Sequence, residues 1–417
     1  MNPVTVVGIG ADGWAGLGEP ARAAVSSADV VVGSTRQTDL VAGHHEARVV
    51  PLPVPLREGL RPLLDGLGAP GGALGGTGGE VRVVVLASGD PMHHGIGRTL
   101  AEVLGRERLT VIGAPSSLSL ACARLGWGLE DVDVVSAVGR PLERLALVAH
   151  PGRRILVLSR DALTPQAVAT LLTEHGLGDS LVWVLSDLGG PDERVVEGVA
   201  GSWHADPGSA LNIVAVQCLS SYDSLAGLVP GLADELYETD GQLTKQHVRA
   251  ATLAALRPAP GELLWDVGGG SGSIGIEWMR AHPTCRAITV EPRGDRIKRI
   301  RRNADHLGVP GLQVVEGLAP GALAGLPRPD AVFVGGGLTA EGLVPAVLDA
   351  LRPGGRLVAN TVTLDSESVL LSMFRRYGGS LTRLEVSHAD AVGGFTSWNP
   401  ARPVTQWSVI RPEELPA

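Results

Sequence analysis

The sequence lacks the features that mark secreted and membrane-spanning proteins. Its 417 residues include three cysteines, which form neither a CxxC pair nor the even set of a disulfide framework. No apolar run approaches the roughly 18 residues that a membrane span requires. No basic segment followed by an apolar one opens the chain, so no signal peptide is predicted. These absences favour a cytoplasmic protein with no membrane partner.

Positive charge is also scarce. Lysine occurs only at Lys245 and Lys298, and the formal net charge is −9. A negative protein is repelled by nucleic-acid backbones and by anionic lipid surfaces, so no nucleic-acid partner is predicted. The histidine pairs His44-His45 and His93-His94 lack the spacing of zinc motifs, and we predict no metal site.

The most informative stretch that is present is a strand that ends in a glycine loop. An apolar run at 263–267 leads into Asp266-Val-Gly-Gly-Gly-Ser-Gly272, and a helix then begins with Ser271 or Ser273 as its N-cap. Glycines let the backbone approach a ligand, which would lie on the N–H groups of the helix start. Glu291 follows the next strand, where a carboxylate can accept hydrogen bonds from ribose hydroxyls. This pattern predicts a nucleoside-type cofactor pocket.

The order of elements around this loop is typical of a class I methyltransferase. Five strand–helix steps end at a strand over 356–360, and a helix near 366–377 precedes two strands around 381–387 and 404–410. A dinucleotide-binding fold would instead have two symmetric halves. The arginine-rich helix 294–307 is expected to present a solvated face rather than an anion site.

The N-terminal half has an α/β pattern with polar turns of its own. One strand breaks into Ser88-Gly-Asp-Pro-Met92, and another into Ala114-Pro-Ser-Ser117 at a helix start. Both turns would lie at the carboxyl edge of one sheet, where ligands bind in open α/β folds. Taken singly, each is also an ordinary turn or capping sequence. The α/β rhythm breaks at 221–240, which is the predicted domain boundary.

Matching residues in both halves show which families the chain resembles. The C-terminal half resembles the class I S-adenosylmethionine methyltransferases, and more closely the precorrin decarboxylating methyltransferases of cobalamin biosynthesis. The residues that carry this likeness include Leu243-Thr-Lys245, Val248-Arg-Ala250, Trp265-Asp-Val-Gly-Gly-Gly-Ser-Gly-Ser-Ile274, Ile276-Glu-Trp278 and Arg356-Leu-Val-Ala-Asn360. The N-terminal half resembles the tetrapyrrole methylases through Val7-Gly-Ile-Gly10, Ser88-Gly-Asp-Pro-Met92 and Pro115-Ser-Ser117.

The two halves in this order are similar to a family of fused methyltransferases that act on precorrin-6Y at C5 and C15 and decarboxylate it. Relatives tend to have aromatic residues after Ser88-Gly-Asp-Pro-Met92, where this chain has His93-His94. The histidine pair leaves the role of those two positions open.

The resemblance implies an α/β protein of two domains. Residues 1–225 would have the class III tetrapyrrole methylase fold of two lobes and methylate C5. Residues 226–417 would have the class I Rossmann-like fold, methylate C15 and decarboxylate the C12 acetate. Each domain would bind one S-adenosylmethionine, the substrate would be a precorrin tetrapyrrole, and the chain would form a homo-oligomer.

Candidate site residues follow from the motifs and the resemblance together. In the C-terminal half the cofactor candidates are Asp266, Gly268, Gly270, Ser271, Gly272, Glu291, Gly317 and Ala319. Candidates for substrate contact and catalysis are Thr244, Lys245, Asn360 and Thr363, although an exposed lysine without a role explains Lys245 equally well. In the N-terminal half the resemblance places the cofactor against Gly89, Asp90, Gly95, Ser116 and Ser117.

Two other interpretations compete with this one. A methyltransferase of nucleic acids or amines would carry an Asn/Asp-Pro-Pro-aromatic turn after the fourth strand, whereas this chain has Val334-Gly-Gly-Gly337. A non-catalytic nucleotide-binding protein with one degenerate half would have lost one set of loop motifs, and both sets are intact.

Overall fold

The computed structural model describes residues 3–67, 81–220 and 227–414. It divides into two compact units: the described residues of Met1–Leu142 and Pro151–Tyr222 form the first, and those of Glu143–His150 and Asp223–Ala417 form the second. The predicted boundary between residues 225 and 226 lies outside the described residues.

The first unit contains ten strands and seven helices among its described residues. The strands are β1 (Val4–Ile9), β2 (Val30–Gly33), β3 (Arg48–Pro51), β4 (Val83–Ser88), β5 (Leu109–Ile112), β6 (Val132–Ser136), β7 (Arg154–Leu158), β8 (Leu181–Ser186), β9 (Arg194–Val199) and β10 (Asn212–Gln217). The helices are α1 (Gly13–Gly16), α2 (Glu19–Ser26), α3 (Thr35–Asp39), α4 (Leu56–Leu67), α5 (Ile96–Leu104), α6 (Ser117–Leu125) and α7 (Thr164–Glu174).

These strands form two separate five-stranded sheets, which are the two predicted lobes. The first sheet has the order β3-β2-β4-β1-β5 and is parallel throughout. The second has the order β6-β7-β10-β8-β9, and only β6 and β7 pair in parallel. The three inner strands of the first sheet, β2, β4 and β1, are rich in valine and buried on both faces, as parallel strands covered by helices require.

The second unit contains nine strands and five helices among its described residues. The strands are β11 (Leu263–Val267), β12 (Arg286–Glu291), β13 (Gln313–Glu316), β14 (Ala331–Val334), β15 (Arg356–Thr361), β16 (Ser380–Leu384), β17 (Ser387–Val392), β18 (Phe395–Pro400) and β19 (Val404–Ile410). The helices are α8 (Gln246–Leu256), α9 (Ser273–Ala281), α10 (Gly294–His306), α11 (Leu343–Ala350) and α12 (Leu364–Tyr377).

Seven of these strands form one sheet in the order β13-β12-β11-β14-β15-β19-β16. The first five are parallel, and β19 runs antiparallel to both of its neighbours. Strand β11 is central and fully buried, with Leu263, Trp265 and Val267 in the hydrophobic cluster on one face and Leu264 in the cluster on the other. The predicted α/β class, with a class I methyltransferase sheet in this unit, is confirmed.

The sequence missed one element of this unit. Strands β17 and β18 pair only with each other, and the side chains of both are exposed. The strand predicted around 381–387 is present as β16, but it ends at Leu384, and the hairpin that the sequence did not predict begins at Ser387. Gly393-Gly394 between two β-rich runs is a recognised hairpin signal and could have predicted this element.

Candidate functional site

The glycine loop of the second unit leaves the carboxyl end of β11 and is packed on two sides. Gly268 has φ +79°, and a Cβ there would lie 2.8 Å from the backbone nitrogen of Gly336 in the turn after β14. Gly270 has φ +59°, and a Cβ there would lie 3.0 Å from the carbonyl oxygen of Gln242. The loop therefore needs glycine for both its conformation and its space.

The predicted N-cap of helix α9 is wrong. The cap is Gly272 at φ +79°, a conformation that serine rarely adopts, and the helix begins at Ser273. The buried hydroxyl of Ser271 instead donates a hydrogen bond of 2.9 Å to the Gln242 carbonyl. Ser271 therefore holds the neighbouring chain segment rather than the helix start.

Asp266 is buried at the end of β11, on the face that packs against α9. Its Oδ2 accepts hydrogen bonds from the Gly275 N–H at 3.2 Å and from the Thr289 hydroxyl at 3.3 Å. Burial raises the pKa of this carboxyl to about 7, and the charge of nearby Glu291 adds to the shift. The Asp266 carboxyl, which bonds the first turn of α9, is therefore partly protonated near pH 7 in the ligand-free unit.

Glu291, at the end of β12, is also buried and bonds the same loop. Its Oε2 accepts the Gly270 N–H at 3.0 Å, and its Oε1 accepts the Arg293 N–H at 3.2 Å. A carboxylate has about four lone-pair positions, so capacity remains for two hydroxyl donors. This geometry is compatible with the predicted ribose contact.

A segment over residues 238–246, called here the arm, covers the glycine loop and is fixed at one end by a buried ion pair. The Nε of Arg249 lies 2.5 Å from Oε1 of Glu277 on α9, and both side chains are at most 2% exposed. Arg249 also donates to the carbonyls of Thr244 and Leu232. Glu277 accepts further hydrogen bonds from the Tyr237 hydroxyl and two backbone N–H groups. The charges are fully partnered, as burial requires.

The arginine-rich helix α10 fixes the other end of the arm. Arg296 and Arg299 approach Asp240 at 2.9 and 3.4 Å, and Arg302 pairs with Glu238 at 2.5 Å. The hydrogen bond from Arg296 lowers the pKa of Asp240 to about 2. The expected solvated face is therefore wrong for Arg296 and Arg299, whose side chains are less than one-fifth exposed.

Loop, arm and strand ends enclose a cavity of about 1050 Å³. This volume is at the upper end of the roughly 300–1000 Å³ of small-ligand sites, which leaves room for a second reactant beside a nucleoside-type cofactor. Among the residues predicted from the sequence, it is lined by Thr244, Lys245, Asp266, Gly268, Gly270, Glu291, Gly317, Ala319 and Asn360.

Three predicted residues are not among the residues that line the cavity, and a fourth is engaged elsewhere. Ser271 and Gly272 support the loop from behind. Thr363 is the N-cap of α12, where its hydroxyl accepts the Ser366 N–H. Asn360 lines the cavity, but its amide is bonded to Thr252 and Gln406. Thr363 thus lies outside the lining and the Asn360 amide is already bonded, and the substrate roles of both residues stay predictions.

The cavity also contains cationic and imidazole side chains that the motifs did not single out. Arg293, Arg296 and Arg402 line it together with His247 and His388. The two imidazole rings are stacked, with centroids 5.8 Å apart and planes at 26°. His388 is on the hairpin that the sequence missed, so no pattern along the chain could have paired it with His247.

In the first unit, close backbone packing brings the predicted turns together. A Cβ on Gly8 in β1 would lie 2.2 Å from the Gly89 carbonyl oxygen and 2.8 Å from the Ala114 nitrogen. Gly89 itself has φ +59° and approaches Pro115 and Ser116. The ends of β4, β1 and β5 thus meet at one sheet edge.

The predicted polar residues of this edge have mainly local bonds. Ser116 is the N-cap of α6 and accepts the Ser119 N–H at 3.1 Å, and Asp90 accepts the Met92 N–H at 2.8 Å. Gly95 precedes α5, and Ser117 is the first residue of α6. Ser116 is therefore an N-cap, as one of the two interpretations predicted. Because Ser116 also lies beside Gly89, contact with a ligand is compatible with this position as well.

Two further charged or titratable groups lie near this edge. Arg36 donates to the Ser88 hydroxyl at 2.8 Å, and burial lowers the pKa of its guanidinium. His94 has φ +57° and stacks on His93 with ring centroids 5.4 Å apart. Burial, with smaller effects of His93 and Arg140, lowers the pKa of His94.

The described residues contain neither a metal-binding cluster nor a membrane-spanning helix. Within 3–67, 81–220 and 227–414 there is no group of three or more His, Cys, Asp or Glu side chains that could hold a metal ion. No helix of the described chain combines the length and apolar character needed to cross a membrane. The glycine loop, the buried carboxylates Asp266 and Glu291 and the cavity volume suit a nucleoside-type sulfonium cofactor.

Comparisons with known proteins give two family matches. Residues 3–203 match the model for tetrapyrrole (corrin/porphyrin) methylases, and residues 235–411 match the precorrin methyltransferase domain. A precorrin-6Y C(5,15)-methyltransferase [decarboxylating] of Sinorhizobium sp. is 47% identical over 97% of this chain and 95% of that protein. One of Mycobacterium tuberculosis with the same name is 43% identical over 98% of this chain and 100% of that protein. A crystal structure of the C-terminal domain of a Rhodobacter capsulatus precorrin-6Y C5,15-methyltransferase is 48% identical, covers 44% of this chain and 100% of that one, and has a TM-score of 0.43.

Proposed function

The chain belongs to the family of decarboxylating precorrin-6Y C(5,15)-methyltransferases, and from this premise we propose how its two units divide the reaction. The enzyme transfers methyl groups from S-adenosylmethionine to C5 and C15 of a precorrin in cobalamin biosynthesis and releases one CO2. We assign C15 methylation and loss of the C12 acetate carboxyl to the second unit. We assign C5 methylation to the first unit.

The observation that carries the assignment is the cavity of the second unit. It combines a glycine loop and a buried carboxylate with several cations and about 1050 Å³ of space. A precorrin carries several carboxylates, and Lys245 and Arg402 are cations that line this cavity. The glycine loop would hold the cofactor at one end of this cavity, and the cations would hold the substrate at the other. Both ends belong to one cavity, as methyl transfer from cofactor to substrate requires.

Methyl transfer mainly requires the protein to align the methyl donor with the carbon that accepts the methyl group. S-adenosylmethionine supplies an electrophilic methyl group on a positive sulfur. The protein holds the nucleophilic meso carbon in line with it, and such orientation contributes several kcal/mol, up to roughly 10. Asp266, Gly268, Gly270 and Glu291 would hold the cofactor, and Thr244 and Lys245 on the arm would contact the macrocycle.

In the first unit the proposed cofactor contacts are made by the three meeting turns. Gly89, Asp90, Gly95, Ser116 and Ser117 supply small side chains, backbone N–H groups and the start of helix α6 at the carboxyl edge of a parallel sheet. Arg36, which is bonded to Ser88, is a cation at this edge that suits a substrate carboxylate.

Mass spectrometry of the product tests the proposal. The full-length chain, given the reduced precorrin and methyl-labelled cofactor, should add two methyl groups and lose one CO2. Asp266→Ala should remove the C15 methyl group, and Gly8→Ala should remove the C5 methyl group. Point variants are preferable to separated halves, because residues Glu143–His150 cluster with the second unit. A product that lacks the C5 methyl group in the Asp266 variant would reverse the assignment.

The remaining features of the proposal concern the state of the enzyme in the cell. We place it in the reducing cytoplasm, since its three cysteines, Cys122, Cys218 and Cys285, are buried thiols. We propose a homo-oligomer that binds neither nucleic acid nor membrane. Sedimentation equilibrium of the purified chain measures the oligomeric state, and a monomer at micromolar concentration would contradict it.

A further inference from the structure

Loss of CO2 from an acetate side chain requires a proton as well as an electron sink. The bond between the methylene carbon and the carboxyl carbon breaks, and its electron pair enters the conjugated macrocycle. The pair then returns to the methylene carbon, which takes a proton and becomes a methyl group. The overall step is R–CH2–COO⁻ plus H⁺ giving R–CH3 plus CO2. A group in the cavity that gives up a proton at neutral pH would accelerate it.

The histidines His247 and His388 are placed for that task. They come from two different elements, the first turn of α8 and strand β17, and both line the cavity that contains the glycine loop. Their rings are stacked with centroids 5.8 Å apart. Both residues are also exposed, so solvent can restore a proton after each turnover.

Other titratable side chains of the cavity are less suited. Lysine and arginine hold their protons too tightly near neutral pH to be efficient acids, and solvent-exposed carboxyl groups as a class ionise well below neutral pH. Asp234 is paired with Arg249 at 3.2 Å and with Lys245 at 3.4 Å.

Two carboxyls remain, and both lie at the cofactor end. Both oxygens of Glu291 are engaged, one by the Gly270 N–H of the glycine loop and the other by the Arg293 N–H. Asp266 is 1% exposed and lies under that loop, which the proposed function fills with S-adenosylmethionine. Imidazole is the side chain that exchanges a proton readily near pH 7.

We propose that His247 and His388 form the proton donor for decarboxylation, an inference that rests on the proposed function of the second unit. One imidazolium gives its N–H proton to the methylene carbon and becomes neutral, and the other ring or solvent returns a proton to it. Neither histidine takes part in the methyl transfer, so the two reactions of this cavity depend on different residues.

The test measures CO2 release and methyl transfer in the same reaction with full-length His247→Gln/His388→Gln. Methyl transfer to C15 should stay within about threefold of the unchanged chain. CO2 release should fall by roughly 100-fold or more, the size of a lost general acid. The expected product retains the acetate carboxyl, 44 mass units heavier. Imidazole added to the buffer should restore CO2 release, which a merely structural role for these rings would not allow.

The controls separate failure of this inference from failure of the proposed function. His204→Gln changes an exposed histidine of the first unit and should behave as the unchanged chain. Binding of two S-adenosylmethionine molecules by the double variant would show that it is folded. If the unchanged chain released no CO2, the proposed function would fail. An unaltered ratio of CO2 to methyl in the variant, or a joint loss that imidazole does not restore, would overturn the inference.

Discussion

The two candidate methyl-donor sites are held in place by different physical means. In the second unit, buried acidic and basic side chains surround the glycine loop: Glu291 bonds it directly, Asp266 bonds the first turn of α9 that follows it, and the pair Arg249–Glu277 fixes the arm above it. In the first unit, the turns touch through backbone atoms at Gly8 and Gly89, with a neutral hydroxyl capping the next helix. The second site combines close-packed glycines with buried paired charges, whereas close backbone contact dominates the first.

This difference predicts different sensitivities. A buried ion pair that loses one partner leaves an unpaired charge, so the second site should respond strongly to charge changes and to pH. Close backbone contact leaves no room for a methyl group, so the first site should respond to added volume and little to charge. Each prediction below tests one side of the comparison.

The largest effect is expected from Arg249→Met. The variant leaves Glu277 buried and unpaired, which costs about 3–5 kcal/mol of stability in comparable cases. Thermal unfolding should show the loss in the transition of the second unit, with weaker cofactor binding there. The matched control is Arg302→Met, whose pair with Glu238 is more than half exposed and should matter far less. Equal losses in the two variants would contradict the buried-charge account.

Asp266→Asn should change how stability depends on pH. The folded pKa of about 7 lies above the ordinary value of 3.8, so ionisation favours the unfolded state as the pH rises through that window. Each unit of difference between the folded and unfolded pKa corresponds to about 1.4 kcal/mol, so above pH 7 the raised pKa lowers the free energy of unfolding by about 4 kcal/mol. Without cofactor, the variant should gain stability relative to the unchanged chain from pH 4 to pH 8. A constant difference across that range would show that Asp266 is ionised throughout.

Gly8→Ala should inactivate the first unit selectively. The new Cβ would lie 2.2 Å from the Gly89 carbonyl, so the turn must shift, and a displacement near 1 Å can lower a rate by roughly 100-fold. C5 methylation should fall by that factor while C15 methylation and CO2 release continue. Gly208→Ala is the control, since nothing lies within 4 Å of a Cβ at that position. Normal C5 methylation by the Gly8 variant would refute the close-packing account.

The smallest effect is expected from Ser116→Ala. Loss of the N-cap of α6 should lower the stability of the first unit by about 1 kcal/mol, measured by denaturant unfolding. Ser116→Asn keeps a capping oxygen and should recover most of the loss. A stronger effect on C5 methylation than on stability in both variants would indicate that the hydroxyl also contacts the cofactor.

Much of the fold was predictable because its signals are local. The buried run Leu263–Val267, the glycines after it and the carboxylate at Glu291 each depend on neighbouring residues, and the structure has them as predicted. The hairpin β17–β18 was missed although Gly393-Gly394 signals its turn.

The candidate site was only partly predictable, because much of it depends on contacts between distant segments. Arg249 and Glu277 are 28 positions apart, and the Asn360 amide donates a hydrogen bond to Thr252, which is 108 positions away. His247 and His388 belong to elements separated by most of the second unit. Likewise, the charge pattern of α10 alone cannot show that Asp240 lies against it.

The central claim is that the chain carries two independent methyl-donor sites, one in each unit. Calorimetric titration of the full-length chain with S-adenosylmethionine tests it most directly. The account predicts two binding sites per chain, and one remaining site in each of the variants Asp266→Ala and Gly8→Ala. A stoichiometry of one or zero in the unchanged chain, or the loss of both sites through either single substitution, would contradict it.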